Sequence, residues 1–230
     1  MGTRERQNRE RQAVRQSILD AARELFTTEG YRNVSIRKIA ERIEYSPAAI
    51  YSYFTGKDDI YLALAEDGFL RLEARVRSAR GTRSPLDEVR AAWWAFYEFS
   101  KEQPAYFELM FVDRSVPKIT QAWEGFEILQ ALMTDAAEAI QRAVASGELP
   151  PTVNAIAAMH VIWGALLGPS VIGLCQRLAP GEDKDLLARD VLESVIAGLR
   201  AGCPTTFTPH ECVCDQPGAV APAGAPVHEP

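Results

Sequence analysis

The stretch "SIRKIAERIEYSPAAIYSYFTGK", residues 35–57, carries two helix starts in quick succession. Ser35 offers a capping hydroxyl, and Ile36, Ile39, Ala40 and Ile43 follow at spacings of three and four, which predicts a short helix with one apolar face. Ser46-Pro47 repeats the signal: a cap, then proline at the first helical position, where its missing N–H is harmless. The second helix is predicted to run to about Phe54 and to end at Gly56. Two short helices joined by the turn at Glu44, Tyr45 and Ser46 make a helix-turn-helix.

Ile50 and Phe54 lie four apart on the second helix and share the face that packs inward. Ala48, Ala49, Ser52 and Tyr53 therefore project outward, with Tyr51 on the flank. Such a helix is roughly 12 Å long, and its small outward side chains let it sit deep in a major groove about 12 Å wide. Alanine meets a thymine methyl, serine bonds base or phosphate, and tyrosine hydroxyls reach phosphate oxygens. Lys57, and the helix-start amides near Ser35, Arg37 and Lys38, are placed to hold the DNA backbone on either side. The competing reading is that Tyr51 and Tyr53 simply pack on neighbouring helices.

Helical periodicity continues in both directions. Upstream, Val14, Ile18, Ala21, Ala22, Leu25 and Phe26 predict a helix from about Arg11 to Thr28, closed at Glu29-Gly30. Downstream, helices are predicted over 58–80, 85–102, 104–112, 118–146, 152–178 and 184–201, separated by breakers such as "GTRSP", "SGELPP" and "APGED". No alternating strand pattern, internal repeat or phosphate loop interrupts them, so the fold class is all-α. After Gly202 the chain turns rich in Pro, Gly and Ala, and residues 203–230 read as a disordered tail.

Charge divides the chain in the same place. Residues 1–57 hold eleven Lys/Arg against seven Asp/Glu, a net +4, which leaves −10 of the overall −6 to residues 58–230. A cationic head on an acidic body suggests a polyanionic partner for the head, although a solvated helix face would give the same asymmetry. With 230 residues at 47% hydrophobic there is enough apolar surface for a sizeable core. No apolar run is expected to approach the roughly 20 residues a membrane span requires, and the charged start "MGTRERQNRERQ" is not a secretory signal. Four clustered cysteines point to a reducing, cytoplasmic setting. No G-x-S-x-G elbow, H-E-x-x-H or paired acid with a plausible partner is present, so neither an enzyme nor a cofactor is expected.

The segment "SILDAARELFTTEGYRNVSIRKIAERIEYSPAAIYSYFTGKDDIY" resembles the DNA-binding region of the tetracycline-repressor (TetR) family through "A-x-x-L-F-x-x-x-G-Y", "S-I-R-K-I-A" and "Y-S-x-x-A-I-Y-x-Y-F-x-x-K". The resemblance implies a three-helix DNA-binding head over 1–57 with a basic arm at 1–11, and it places Ser35, Arg37, Pro47, Ala48, Ala49, Tyr51, Ser52, Tyr53 and Lys57 at the double-stranded operator. It further implies a helical domain over 58–202 that binds a small effector and forms a homodimer through its last two long helices. One departure stands out: the family's turn usually has glycine where this chain has Glu44, followed by a bulky Tyr45.

For the effector, the aromatics of the middle segments suggest an apolar or flat ligand. Trp94, Tyr97, Phe107, Phe111, Trp123, Phe126, His160 and Trp163 are the candidate lining residues. Cys175, in an apolar run, is read as a small buried hydrophobe. Cys203, His210, Cys212 and Cys214 offer thiolate and imidazole ligands, but at a C-x-C spacing tighter than common structural zinc sites, so no metal site is assigned. The leading reading is a ligand-responsive repressor released from a palindromic operator. The rival is a helical small-molecule or metal-binding protein with a vestigial helix-turn-helix.

Overall fold

Side-chain caps set where most of the helices begin. In the computed structural model, which describes residues 3–79, 81, 84–113 and 127–207, Ser35 accepts from the Lys38 amide, Ser46 from Ala49, Ser84 from Asp87, Asn154 from Ala157, and Asp183 from Asp185 and Leu186. The helices are α1 (Thr3–Glu29), α2 (Ile36–Arg42), α3 (Pro47–Tyr51), α4 (Lys57–Ala79), α5 (Pro85–Glu102), α6 (Pro104–Phe107), α7 (Glu127–Ala145), α8 (Ala155–Leu174) and α9 (Lys184–Arg200). A 3₁₀ turn, Tyr31–Asn33, follows α1, and a π-helical turn, Glu108–Val112, continues α6. No strand occurs among the described residues.

Three α1 neighbours, α2, α4 and α6, hold the head together and attach it to the body. In the body, α5 is the hub, packed on by α4, α6, α7, α8 and α9, while α8 and α9 form the most extensive helix pair. The buried apolar side chains form one continuous cluster from Ile18 in α1 to Leu199 in α9. Gly68 of α4 permits one close approach: a Cβ there would lie 2.4 Å from Met110 Sδ and 3.1 Å from Tyr106 Cδ1.

Several expectations need correction. Within the expected basic arm at 1–11, residues 3–11 are the start of α1 rather than an arm, because this charged run is rich in good helix formers and pairs Arg6 with Glu10 at 3.3 Å across one turn. Helix α3 is shorter than expected, although Tyr53 and Phe54 still donate to the Ile50 carbonyl and extend its last turn. The predicted helix 104–112 changes pitch at Glu108, and α8 ends at Leu174, so Cys175 is exposed rather than buried. Against the expectation of no membrane-length run, α8 is long and apolar enough to cross a membrane by length and composition, with part of its surface packed on α5, α7 and α9. Of the 203–230 tail, residues 203–207 are irregular and exposed; His210, Cys212 and Cys214 lie outside the described residues.

Candidate nucleic-acid interface and apolar cavity

The turn between α2 and α3 closes with Glu44 at φ 60°, the left-handed conformation that glycine adopts freely. The Tyr45 amide donates to the Ala40 carbonyl at 2.9 Å, which ties the turn back to α2. This geometry presents Pro47, Ala48, Tyr51 and Ser52 on an exposed face, with Ala49 and Tyr53 half-buried at its edge and Ile50 and Phe54 in the core. Tyr51 is 57% exposed, and Tyr45 in the turn, not among the sequence candidates, is 45% exposed. A bulky aromatic in the turn was the available signal for Tyr45.

The basic residues around this face are less free than their positions in the sequence suggest. Arg37 pairs with Glu41 at 2.8 Å, and Lys38 pairs with Glu29 and donates to the Asn33 carbonyl at 3.3 Å. The Ser35 hydroxyl is occupied by the Lys38 amide at 3.2 Å. Lys57, the first residue of α4, sends its ammonium inward: Nζ donates to the carbonyls of Tyr31 and Val34, 2.8 Å each, and sits 4.0 Å above the Tyr31 ring. Burial lowers its pKa from the usual lysine value. Burial, reinforced by the hydrogen bond to Asp58, raises that of Tyr31.

A cavity of about 240 Å³ opens in the body. Its walls are Leu72 and Val76 of α4, Ala92, Trp93 and Phe96 of α5, Phe111 of the π turn, Leu129, Leu132, Met133 and Ala136 of α7, and Trp163 of α8. Of the expected lining residues, Phe111 and Trp163 are present. Trp94 and Tyr97 face elsewhere: Trp94 packs under Arg189 at 4.6 Å, and the Tyr97 hydroxyl donates to Asp185 at 2.7 Å. Phe107 is fully buried behind the wall, 5.5 Å from Phe96 and 4.9 Å from Phe111. His160 donates from Nδ1 to the Ile156 carbonyl at 2.8 Å, since a carbonyl only accepts, and does not line the cavity. Trp123 and Phe126 lie outside the described residues.

Two contacts connect cavity and head. The buried Tyr61 of α4 donates to the Leu109 carbonyl of the π turn at 2.6 Å, while its ring packs at a tilt against Phe26 and edge-to-face against Tyr31, with centroids 5.8 and 5.4 Å apart. Next to it, Tyr106 is clasped between two guanidiniums, Arg23 of α1 and Arg71 of α4, each 4.9 Å from its ring. Arg23 donates to the Tyr106 hydroxyl at 2.9 Å, and that hydroxyl donates to Asp67. Burial, then Asp67, raises the Tyr106 pKa, so the hydroxyl keeps its proton.

The sequence pattern of "Bacterial regulatory proteins, tetR family" matches residues 18–64. The chain is 30% identical over 198 residues to the HTH-type transcriptional repressor AcnR of Corynebacterium diphtheriae, covering 86% of this chain and 97% of that one. It is 33% identical over 98 residues to the HTH-type transcriptional activator FasR of Mycolicibacterium smegmatis, covering 42% and 45%. The fold is similar to that of the transcriptional regulator FadR from Bacillus subtilis in complex with stearoyl-CoA, at a TM-score of 0.68 and 19% identity, over 80% of this chain and 98% of the other.

Proposed function

Because the chain belongs to the tetR family of bacterial regulatory proteins and is a DNA-binding transcription regulator, we propose that it is a repressor released from its operator by an apolar effector bound in the body cavity. A homodimer carries two α3 helices and reads a roughly palindromic site, one half per helix. Repression is favoured over activation because the relative matched over nearly its whole length is a repressor, whereas the activator is matched over under half. The exposed apolar residues Ile156 and Val161 of α8 and Leu186 of α9 are available to the partner subunit.

The observation that carries this reading is the position of the cavity. Leu72 and Val76 in its wall belong to α4, whose first residue, Lys57, is hydrogen-bonded to the head. Phe111 lies two residues from the Leu109 carbonyl that Tyr61 holds. A ligand that displaces Phe111 or α4 therefore moves the head, and by linkage operator DNA weakens that ligand by the same factor.

The lining is apolar throughout, and about 240 Å³ lies below the usual range of drug-sized pockets. It suits a compact apolar ligand or the tail of a longer one whose polar end stays outside. The FadR complex with stearoyl-CoA makes a long acyl chain the first class to test. Duplexes selected from a random pool by the wild-type protein would be titrated with and without stearoyl-CoA and free fatty acids of several lengths. The expected result is a ligand-dependent loss of operator affinity, matched by weaker ligand binding in the presence of operator. An apolar ligand that fills the cavity at saturation and leaves operator affinity unchanged would refute effector control.

A further inference from the structure

Helix α1 projects beyond the head. Its first buried residue is Ile18, and residues 4–13 are exposed. At 100° per residue, Arg4, Arg11 and Arg15 fall within about 40° of one another, a stripe about 16 Å long. That stripe continues, toward the N-terminus, the face that buries Ile18, Ala22 and Leu25 further along. The helix face thus changes from apolar to cationic where it leaves the core.

Two of these arginines are fixed beside the recognition helix. The Arg11 guanidinium lies over the Tyr53 ring at 5.6 Å and that of Arg15 over Phe54 at 5.2 Å. Neither has a carboxylate partner among the described residues, unlike Arg6, Arg23, Arg37, Lys38 and Arg42. Between α1 and the end of α3 lies a polar groove of about 300 Å³, lined by Gln7, Glu10, Arg11, Val14, Ser52 and Tyr53. Glu10, its only acid, is paired with Arg6 at 3.3 Å.

We infer that the N-terminal turns of α1 are a phosphate rail, in which Arg11 and Arg15, steadied by Tyr53 and Phe54, grip the DNA backbone beside the groove that α3 enters. The inference rests on the DNA-binding reading and adds where the backbone is held. A planar guanidinium stacked on an aromatic keeps its N–H fork free for bidentate phosphate contact, and stacking restricts its rotamers before DNA arrives. Gln7 and the Tyr53 hydroxyl supply neutral donors in the same groove, while the Ser52 hydroxyl already donates to the Ala49 carbonyl at 2.7 Å. Lys57, by contrast, already spends two of its three donors on carbonyls.

The test measures affinity against salt concentration for the full chain, on a duplex selected from a random pool and on an unrelated duplex. Arg11→Gln should lower the magnitude of the log–log salt slope by about 1, and the Arg11→Gln/Arg15→Gln double variant by about 2. Affinity should fall by a similar factor on both duplexes, because phosphates carry no sequence. Arg11→Lys should restore most of the slope, and Arg200→Gln, with the same change of net charge at the far end of α9, should leave it unchanged. Melting curves verify that each variant is folded. Slopes that stay at the wild-type value in folded Arg11→Gln and in the double variant would overturn the rail while leaving DNA binding intact. A wild-type protein that selects no duplex would overturn the DNA-binding reading and the rail with it.

Discussion

Lys57→Met separates a structural from a DNA-binding role for a residue that both sequence pattern and charge assign to the backbone. Methionine keeps the apolar stem and removes the ammonium, which donates to the Tyr31 and Val34 carbonyls at 2.8 Å each. The Tyr31 carbonyl retains the Val34 amide at 3.3 Å, so the heavier loss falls on Val34. Hydrogen bonds to a charged donor contribute about 1.5–3 kcal/mol each when buried. Lys57 is half-buried, and the cation–π contact with Tyr31 disappears as well, so the total is roughly 2–4 kcal/mol. For a chain of this size that is a fall in Tm of roughly 5–15 °C. Thermal unfolding would be followed at one fixed protein concentration, since a dimer's midpoint moves with concentration. The salt slope of DNA binding would be measured below the transition, where at most one phosphate contact should be missing. A Tm within about 2 °C of wild type, with the slope reduced by a full unit, would refute the argument and place the ammonium on phosphate rather than on the carbonyls.

Glu44→Gly should stabilise the chain: removing the Cβ from a residue held at φ 60° relieves roughly 1–2 kcal/mol, and the freer unfolded glycine offsets about 0.4–1, for a net gain of up to about 1.6 kcal/mol and a rise of up to roughly 6 °C in thermal unfolding. Ala136→Phe should fill part of the cavity and weaken a cavity ligand more than tenfold while leaving operator affinity within about threefold, read by parallel ligand and DNA titrations. Hydrogen bonds from Lys101 and then Tyr97 hold the Asp185 pKa below its usual value. Its contribution to joining α5 and α9 is therefore present above the unfolded pKa, about 3.9, and is lost as pH falls through the folded one. Asp185→Asn should flatten that acid limb in denaturant titrations carried out below about pH 4.

The caps at Ser35 and Ser46 were legible because they are local: each bonds an amide three residues away, and nothing distant enters. The glutamate in the turn was flagged instead by the family resemblance, which has glycine at that position, and the residue does take a positive φ there. Rotation of a helix about its own axis was harder to read. Trp93 and Phe96 line the cavity while Trp94 and Tyr97 face Arg189 and Asp185, and a single residue turns a helix by 100°. Five adjacent positions hold Trp93, Trp94, Phe96 and Tyr97, so both faces are aromatic and periodicity does not choose between them. The inward turn of Lys57 was equally hidden, because it depends on carbonyls 23 and 26 residues away. The α4 and α7 walls carry an ordinary apolar stripe that reads as core until an empty volume is seen against it.

The clasp on Tyr106 also bears on how such regulators can be recombined. A chimaera joined at residue 57 would bring a foreign α1 to a resident Tyr106 and Asp67, and unless that α1 supplied an arginine at the position of Arg23, the hydroxyl would lose one of its two partners. The Tyr61 ring would likewise meet a foreign neighbour in place of Phe26 and Tyr31 while its hydroxyl remained tied to Leu109. A graft that keeps operator choice together with its response to ligand must therefore carry α1 through the π turn as a single cassette, residues 3–112, and change partners only at the faces of α5, α7 and α8.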